Sequence, residues 1–321
     1  MKYSIGIDIG GTNTVFGLVS EKGNIKAINK ISTKGYKSFD DYLDEIVDNV
    51  IKFYKEVSNT TVEIIGVGIG APNGNYYKGV IDNAPNLEFK GVLEVRHLLE
   101  VKLSQKGYCI NVALTNDANA AAMGEMIYGK GKGVKNFIMI TLGTGVGSGI
   151  VVDGKLVYGS TGFAGEIGHT IIEEQGRQCN CGRKGCVERY CSATGFVLTA
   201  LEKLKNSSEK SILREYAEDE ITGALIYDCA LKGDKLCLDV YDYTAKMLAI
   251  GLANATAITS PEKIFLFGGL SRSGNLLLNP LRKYFETYVF DVFKNSVSIE
   301  LSGLKDDDAA ILGAAALCFN K

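Results

Sequence analysis

The sequence predicts a duplicated α/β protein of two domains. Three observations carry that expectation. The 321 residues make a chain about twice the length of an average domain. Each half opens with a strand, a Gly/Thr-rich turn, a second and a third strand, and then turns helical. Hydrophobic residues make up 46% of the chain and aromatics 9%, enough apolar material for two cores and too much for a disordered chain.

The first half begins with Tyr3–Ile9, which alternates apolar and small or polar residues. After Gly10-Gly11-Thr12 come Val15–Val19 and, past the Glu21–Asn24 turn, Ile25–Ile31, a three-stranded antiparallel meander. Phe39–Val57 repeats apolar residues at a helical period. Val62–Ile69 is apolar and β-branched, the pattern of a buried strand. Residues 70–90 lack strong periodicity and carry the turn signals Gly70-Ala71-Pro72-Asn73-Gly74 and Asn83-Ala84-Pro85-Asn86. Long irregular segments of this kind often carry function. Leu93–Lys106 reads as a helix, Val112–Thr115 as a strand and Ala118–Tyr128 as a helix.

The second meander starts at Phe137. Phe137–Leu142 and Gly147–Val152 are strands around Gly143-Thr144-Gly145, Asp153-Gly154 is a hairpin turn signal, and Leu156–Tyr158 follows. Helices dominate 192–260, with charged loops near 204–220. Ile264–Phe267 is a short strand ending at Gly268-Gly269, Val297–Leu301 a further strand and Asp307–Phe319 a terminal helix. No Pro- or Ser-rich linker separates the halves, so the boundary is expected near Asp117. The domains then comprise 1–117 with 305–321, and 118–304.

Composition narrows the function classes. The net charge is −2, so no basic field exists to hold a nucleic acid. No run approaches 18 apolar residues, and Asp8 interrupts the apolar stretch at the start, so neither a membrane span nor a signal peptide is expected. The expected location is the cytoplasm, where a disulfide framework for the eight cysteines is disfavoured. Cys109, Cys229, Cys237 and Cys318 are scattered singly and read as small hydrophobes.

Three motifs carry chemistry. In Asp8-Ile9-Gly10-Gly11-Thr12-Asn13-Thr14, two glycines let the backbone approach a ligand, successive N–H groups can nest an anion, and Asp8 can hold hydrated Mg²⁺. Gly143-Thr144-Gly145-Val146-Gly147 repeats the turn in the second half, and neither copy is a P-loop or a dinucleotide fingerprint. In Thr115-Asn116-Asp117-Ala118, a strand meets an Ala-rich helix, and Asp117 is either an N-cap or a general base with Asn116 orienting a hydroxyl. The third motif joins Gly165-Glu166-Ile167-Gly168-His169 to Cys179-Asn180-Cys181-Gly182-Arg183-Lys184-Gly185-Cys186-Val187-Glu188. Three thiolates and one imidazole suit a closed, structural zinc site formed by His169, Cys179, Cys181 and Cys186. Cys191 is left over and packs, and His97 lies on an amphipathic helix as an ordinary histidine.

Together with Phe267-Gly268-Gly269-Leu270-Ser271, these motifs resemble, in order and across essentially the whole chain, the ROK family of bacterial sugar kinases and sugar-responsive repressors. The resemblance implies a duplicated actin-like, ribonuclease-H-like ATPase fold with two α/β domains flanking a catalytic cleft. It implies ATP and Mg²⁺ beside the structural Zn²⁺. It makes Asp117 the catalytic base and Asn116, Asp117, Glu166, His169 and Glu188 the sugar ligands. Asp8, Gly10, Gly11, Thr12, Gly143, Thr144, Gly268 and Gly269 fall on the phosphate and nucleotide side. Asn13 is given no role. The expected activity is phosphorylation of the C6 hydroxyl of a hexose, glucose first, with N-acetylmannosamine or N-acetylglucosamine as the alternative. A repressor is disfavoured because the first strand starts at Tyr3, which leaves no room for an N-terminal helix-turn-helix. A homodimer is compatible with the resemblance.

Overall fold

The computed structural model describes residues 1–57 and 61–319. The expected meander is present as β1 (Lys2–Ile9), β2 (Asn13–Ser20) and β3 (Ile25–Ser32), followed by α1 (Phe39–Val57) and β4 (Glu63–Ala71). The segment read as irregular holds a small antiparallel sheet, β5 (Gly74–Asn75), β6 (Val80–Asp82) and β7 (Val92–Leu93). Its strands are two or three residues long, too short for a period to register. Then come α2 (Val95–Gln105), β8 (Val112–Asn116) and α3 (Asp117–Tyr128).

The main sheet runs β3-β2-β1-β4-β8, with β1 antiparallel to β2 and β4 parallel to both β1 and β8. Position in the sheet explains the sequence patterns. Strand β3 lies at the edge and alternates half-buried with exposed residues, whereas β1 and β2 are covered on both faces and buried almost throughout.

The second half repeats the plan. Strands β9 (Phe137–Leu142) and β10 (Val146–Val152) pair antiparallel, and Asp153 and Gly154 carry the positive φ of a two-residue turn (50° and 73°) into β11 (Lys155–Leu156). A short α4 (Glu188–Cys191), then α5 (Ala193–Asn206), α6 (Gly223–Leu231) and the 25-residue α7 (Lys235–Thr259) fill the expected helical region. Strand β12 (Lys263–Phe267) pairs parallel with β9 and with β13 (Ser298–Leu301). The order β10-β9-β12-β13 matches β2-β1-β4-β8, which is the duplication expected from sequence. Between β12 and β13 lies α8 (Asn275–Tyr288), an element the sequence reading does not name; it buries Leu277, Leu278, Leu281 and Phe285. The last helix is α9 (Asp306–Ala316).

The chain divides into two compact units, one of residues 1–134, 154–164 and 303–321 and one of 135–153 and 165–302. Each has its own core. In the first, Ile5, Ile7 and Phe16 pack with Leu43, Ile46 and Val47 of α1. In the second, Ile138, Ile140 and Ile264 pack with Val240 and Leu248 of α7. The first unit extends past Asp117 and takes in α3, because α3 lies against α9: Gly124 and Gly313 meet backbone to backbone. Among the described residues, no helix is long and apolar enough to cross a membrane.

Helix α9 also lies on the main sheet, where Gly6 and Gly68 leave its backbone room and Gly17 makes room for the side chain of Ile311. A Cβ at Gly68 would run into the carbonyl of Ala314, and one at Gly6 into that of Ile311. Backbone cannot move aside as a flexible side chain can, so overpacking here costs about 2 kcal/mol or more. Gly68→Ala is therefore expected to lower the denaturant midpoint clearly; a midpoint equal to that of the parent protein would show that α9 is not seated this way.

Candidate functional site

In the first unit, the strand register gathers the predicted residues at one sheet edge. Asp8 pairs with Gly70, and Gly70 with Thr115, so Asp8 at the end of β1 and Asn116-Asp117 at the end of β8 emerge side by side. Gly70 keeps the space between them open. A Cβ there would sit 3.9 Å from both the Asp117 Cα and the Asp8 Oδ1.

The turn that follows Asp8 is closed by the Gly10 N–H donating to the Asn13 carbonyl at 3.0 Å. Gly11 abuts the irregular segment: an added Cβ would lie 2.7 Å from the Asn86 carbonyl oxygen. The sequence predicts both the turn and the loop, but not that they touch.

The N-cap of α3 is Asn116, whose Oδ1 accepts from the Asn119 N–H at 2.7 Å. Asp117 is the first helical residue, and its Oδ1 accepts from the Ala118 N–H at 2.8 Å. Capping thus accounts for Asn116 and leaves Asp117 without that explanation. Burial raises the Asp117 carboxyl above its usual range, against the lowering effect of the Ala118 N–H. The residue is nonetheless exposed to solvent, so the neighbouring atoms crowd this carboxylate without sealing it from water. Loss of hydration, and secondarily the charge of Asp117, push the half-buried Asp8 up to about 6.

In the second unit, Gly143-Thr144 and Gly268-Gly269 come together by the same device. Phe267 pairs with Thr141, so both turns leave the sheet at one edge. Gly268 has φ 97°, and a Cβ there would lie 2.7 Å from the Leu142 carbonyl oxygen. The Gly143 N–H donates to the Gly145 carbonyl at 3.0 Å, and Ala193 and Thr194 at the start of α5 hold the carbonyls of Gly143 and Thr144. Glu188 is tied to this turn: its Oε2 accepts from the Val146 N–H at 3.0 Å. Nothing in the sequence links Glu188 to Val146, 42 positions away.

Glu166 and His169 share one tight turn, with the His169 N–H donating to the Glu166 carbonyl at 3.1 Å. The Val187 N–H reaches the Thr170 carbonyl at 3.0 Å, which brings Glu188 next to that turn. The donor atoms of His169, Cys179, Cys181 and Cys186 all lie within 4.8 Å of one another. The Cys181 and Cys186 sulfurs are 3.6 Å apart, and His169 Nδ1 is 3.7 Å from the Cys179 sulfur. A tetrahedron of zinc–sulfur bonds of about 2.3 Å has edges of about 3.8 Å, so this donor set fits zinc. Burial opposes ionisation of Cys181, but the backbone and side chain of Arg183 and the two neighbouring thiols outweigh it and bring this thiol down to about 6. A thiol that ionises easily is ready to ligate a metal.

Residues 4–321 match the ROK family. The glucokinase of Halalkalibacterium halodurans is 34% identical over 97% of this chain and 93% of its own length. That of Thermotoga maritima is 33% identical over 98% and 96%. The crystal structure of a ROK family glucokinase from Streptomyces griseus, in complex with glucose and AMPPNP, superposes with a TM-score of 0.79 at 31% identity, covering 99% of this chain and all of that one. A xylose repressor of Caldicellulosiruptor bescii is 34% identical over 85% of this chain and 67% of its own length. Family match and fold agree: the chain belongs to the ROK family and has its duplicated actin-like ATPase fold.

Proposed function

We propose that the chain is an ATP-dependent hexose kinase that phosphorylates the C6 hydroxyl of glucose. The observation that carries this reading is the juxtaposition of Asp8 and Asp117 across Gly70, at the edge where the Gly10-Gly11-Thr12 turn begins. One carboxylate serves the phosphate side and the other the acceptor side. Phosphoryl transfer asks a protein chiefly for such positioning and for charge stabilisation.

Asp117 accepts the proton of the C6 hydroxyl as its oxygen bonds to the γ-phosphorus and the bond to the β-phosphate bridging oxygen breaks. The raised affinity of Asp117 for a proton suits a general base. Asn116, with its Oδ1 occupied by the helix cap, has its amide nitrogen to donate to a sugar hydroxyl. The backbone N–H groups of the two glycine turns, with Thr12 and Thr144, cradle the phosphates. Asp8 would hold hydrated Mg²⁺, which when bound offsets phosphate charge.

Glu166, His169 and Glu188 are the further sugar ligands. Zinc, held by His169 Nδ1 and the three thiolates, would leave Nε2 of the ring to meet a sugar hydroxyl. The reducing cytoplasm suits thiolate ligands. A sugar-responsive repressor is the second reading. Retention of Asp117 and of both glycine turns favours the kinase, since a sensor needs neither a base nor a γ-phosphate cradle. ADP release measured across glucose, mannose and the N-acetylhexosamines tests the assignment; a kcat/KM tenfold higher on an N-acetylhexosamine than on glucose would overturn the sugar.

Asp117→Asn keeps the shape and cannot take a proton, so kcat is expected to fall by 10²- to 10⁴-fold with glucose binding retained. Retention of a tenth of the parent rate would remove Asp117 from the role of base.

For Asp8, the sign of the pH dependence separates activity from stability. Its folded value of about 6 lies above the ordinary 3.8. Its contribution to stability is therefore full below about pH 4 and is lost as pH rises through 6. Activity needs the carboxylate and runs the other way, falling as pH drops from 7 to 5. Asp8→Asn is expected to abolish turnover and raise the melting temperature by a few degrees; a lower melting temperature would contradict the burial of this charge.

Elemental analysis of protein purified without chelator is expected to give one zinc per chain. Cys181→Ser should lower both zinc content and glucose affinity, because the same loop carries Glu188. Full glucose affinity in zinc-free protein would exclude the orienting role.

A further inference from the structure

Three hydroxyls beneath the first glycine turn form a buried cluster that none of the roles above uses. Tyr42, in the first turn of α1, is 1% exposed, Thr14 is 0% and Thr33 is 1%. The Tyr42 and Thr14 oxygens are 2.6 Å apart, and those of Thr14 and Thr33 2.8 Å. The Thr33 N–H donates to the carbonyl of Thr12 at 2.9 Å, so the cluster holds the turn by its backbone. Burial raises the Tyr42 phenol above the tyrosine range and keeps it protonated at working pH.

The other end of the same side chain holds the irregular segment. The Tyr42 ring stacks on Phe89, with centroids 5.4 Å apart and planes 28° from parallel. Phe89 lies three residues beyond Asn86, whose carbonyl closes on Gly11. Glu88 accepts from the Gly35 N–H at 3.2 Å, just past Thr33. One phenol therefore touches both the support of the turn and the segment of 83–90. Fold stability does not ask for this chemistry: Val, Val and Phe would fill nearly the same volume with no hydrogen bonds to satisfy.

We propose that Tyr42 is a positioning residue that couples the two substrates. Its hydroxyl fixes the Gly10–Thr12 turn, its ring fixes the 83–90 segment, and ordering of that segment by sugar tightens phosphate binding on the turn. This rests on the kinase reading, in which the turn holds phosphate, and it adds that the 83–90 segment, which closes on Gly11 of that turn, borders the sugar.

The test measures glucose binding alone, binding of a non-hydrolysable ATP analogue with and without saturating glucose, and steady-state kinetics. In the parent protein, glucose is expected to tighten the analogue several-fold. Tyr42→Phe removes one buried hydrogen bond and keeps the stack. It should raise the KM for ATP about five- to tenfold, leave glucose binding within twofold and bring the coupling factor towards one. Thr14→Val should do the same and Thr14→Ser should restore the parent values. Phe89→Leu should also lower the coupling factor, and the double variant should lose no more than Tyr42→Phe alone.

Absence of coupling in the parent protein overturns the proposal. So does an equal loss of both affinities together with a lower melting temperature, which would make Tyr42 merely structural. Thr12→Ala separates this proposal from the reading beneath it. If Thr12→Ala weakens ATP binding and Tyr42→Phe does not, the positioning role fails and the kinase reading stands. If neither does, the phosphate role of the turn fails and the proposal with it.

Discussion

The parallel pairing of β4 with β1 and β8 is the constraint on which the first unit's site depends. In a parallel ladder neighbouring strands end at the same edge, so whatever follows one strand lies beside whatever follows the next. Asp8, Gly70 and Thr115 share one row, and the residues beyond them share the space above it. Slipping β8 by one residue would turn Thr115 and Asn116 to opposite faces and carry Asp117 away from Asp8. The register is secured below the site by packing: Ile5, Ile7, Val67 and Ile69 are inaccessible to solvent, and on the opposite face Gly6 and Gly68 lie against the backbone of α9, so a one-residue slip of β1 or β4 would drive a side chain into it.

The second unit applies the same geometry to different chemistry. Parallel β9 and β12 deliver two glycine turns to one edge, and no carboxylate follows either strand directly. The acids of this unit arrive on the cysteine loop instead. Short antiparallel bridges, Ile171 with Cys186 and Gln178 with Lys184, fold that loop back on itself. Glu188 is thus placed by the ligand cluster on one side and by the Val146 N–H on the other. A rigid loop with two anchors suits groups that must meet a ligand in fixed geometry.

How much of this was legible in the sequence depended on the range of the interaction. Glycine turns, the Cys-x-Cys-x₄-Cys spacing and the strand–helix junction at Asn116 are local, and their residue types announce their geometry. The duplication was legible because each half spells the same order of local signals. Long-range contacts left no local mark. Tyr42 reads as one more position in an amphipathic helix, since nothing near it in sequence says that Thr14 and Phe89 lie at its two ends. The place of α3 was equally hidden: its partner α9 lies almost 200 residues downstream, and the contact is made by Gly124 and Gly313, which as single residues look like weak points in helices. The strands β5, β6 and β7 escaped because two or three residues carry no period.

The seat of α9 on Gly6, Gly17 and Gly68 has a consequence for how the chain is made. During synthesis the main-sheet strands leave the ribosome early, while the helix that covers their glycine-lined face emerges only after the whole of the second unit. The second unit is drawn almost wholly from one continuous stretch, 165–302, and can condense as soon as that stretch is out. The N-terminal sheet must wait with one face bare for about 190 residues of elongation. A face rich in glycine is less sticky in that interval than one rich in leucine and valine, because it offers little apolar side-chain area to a wrong partner. The small residues that let α9 sit close in the finished protein thereby protect the unfinished one.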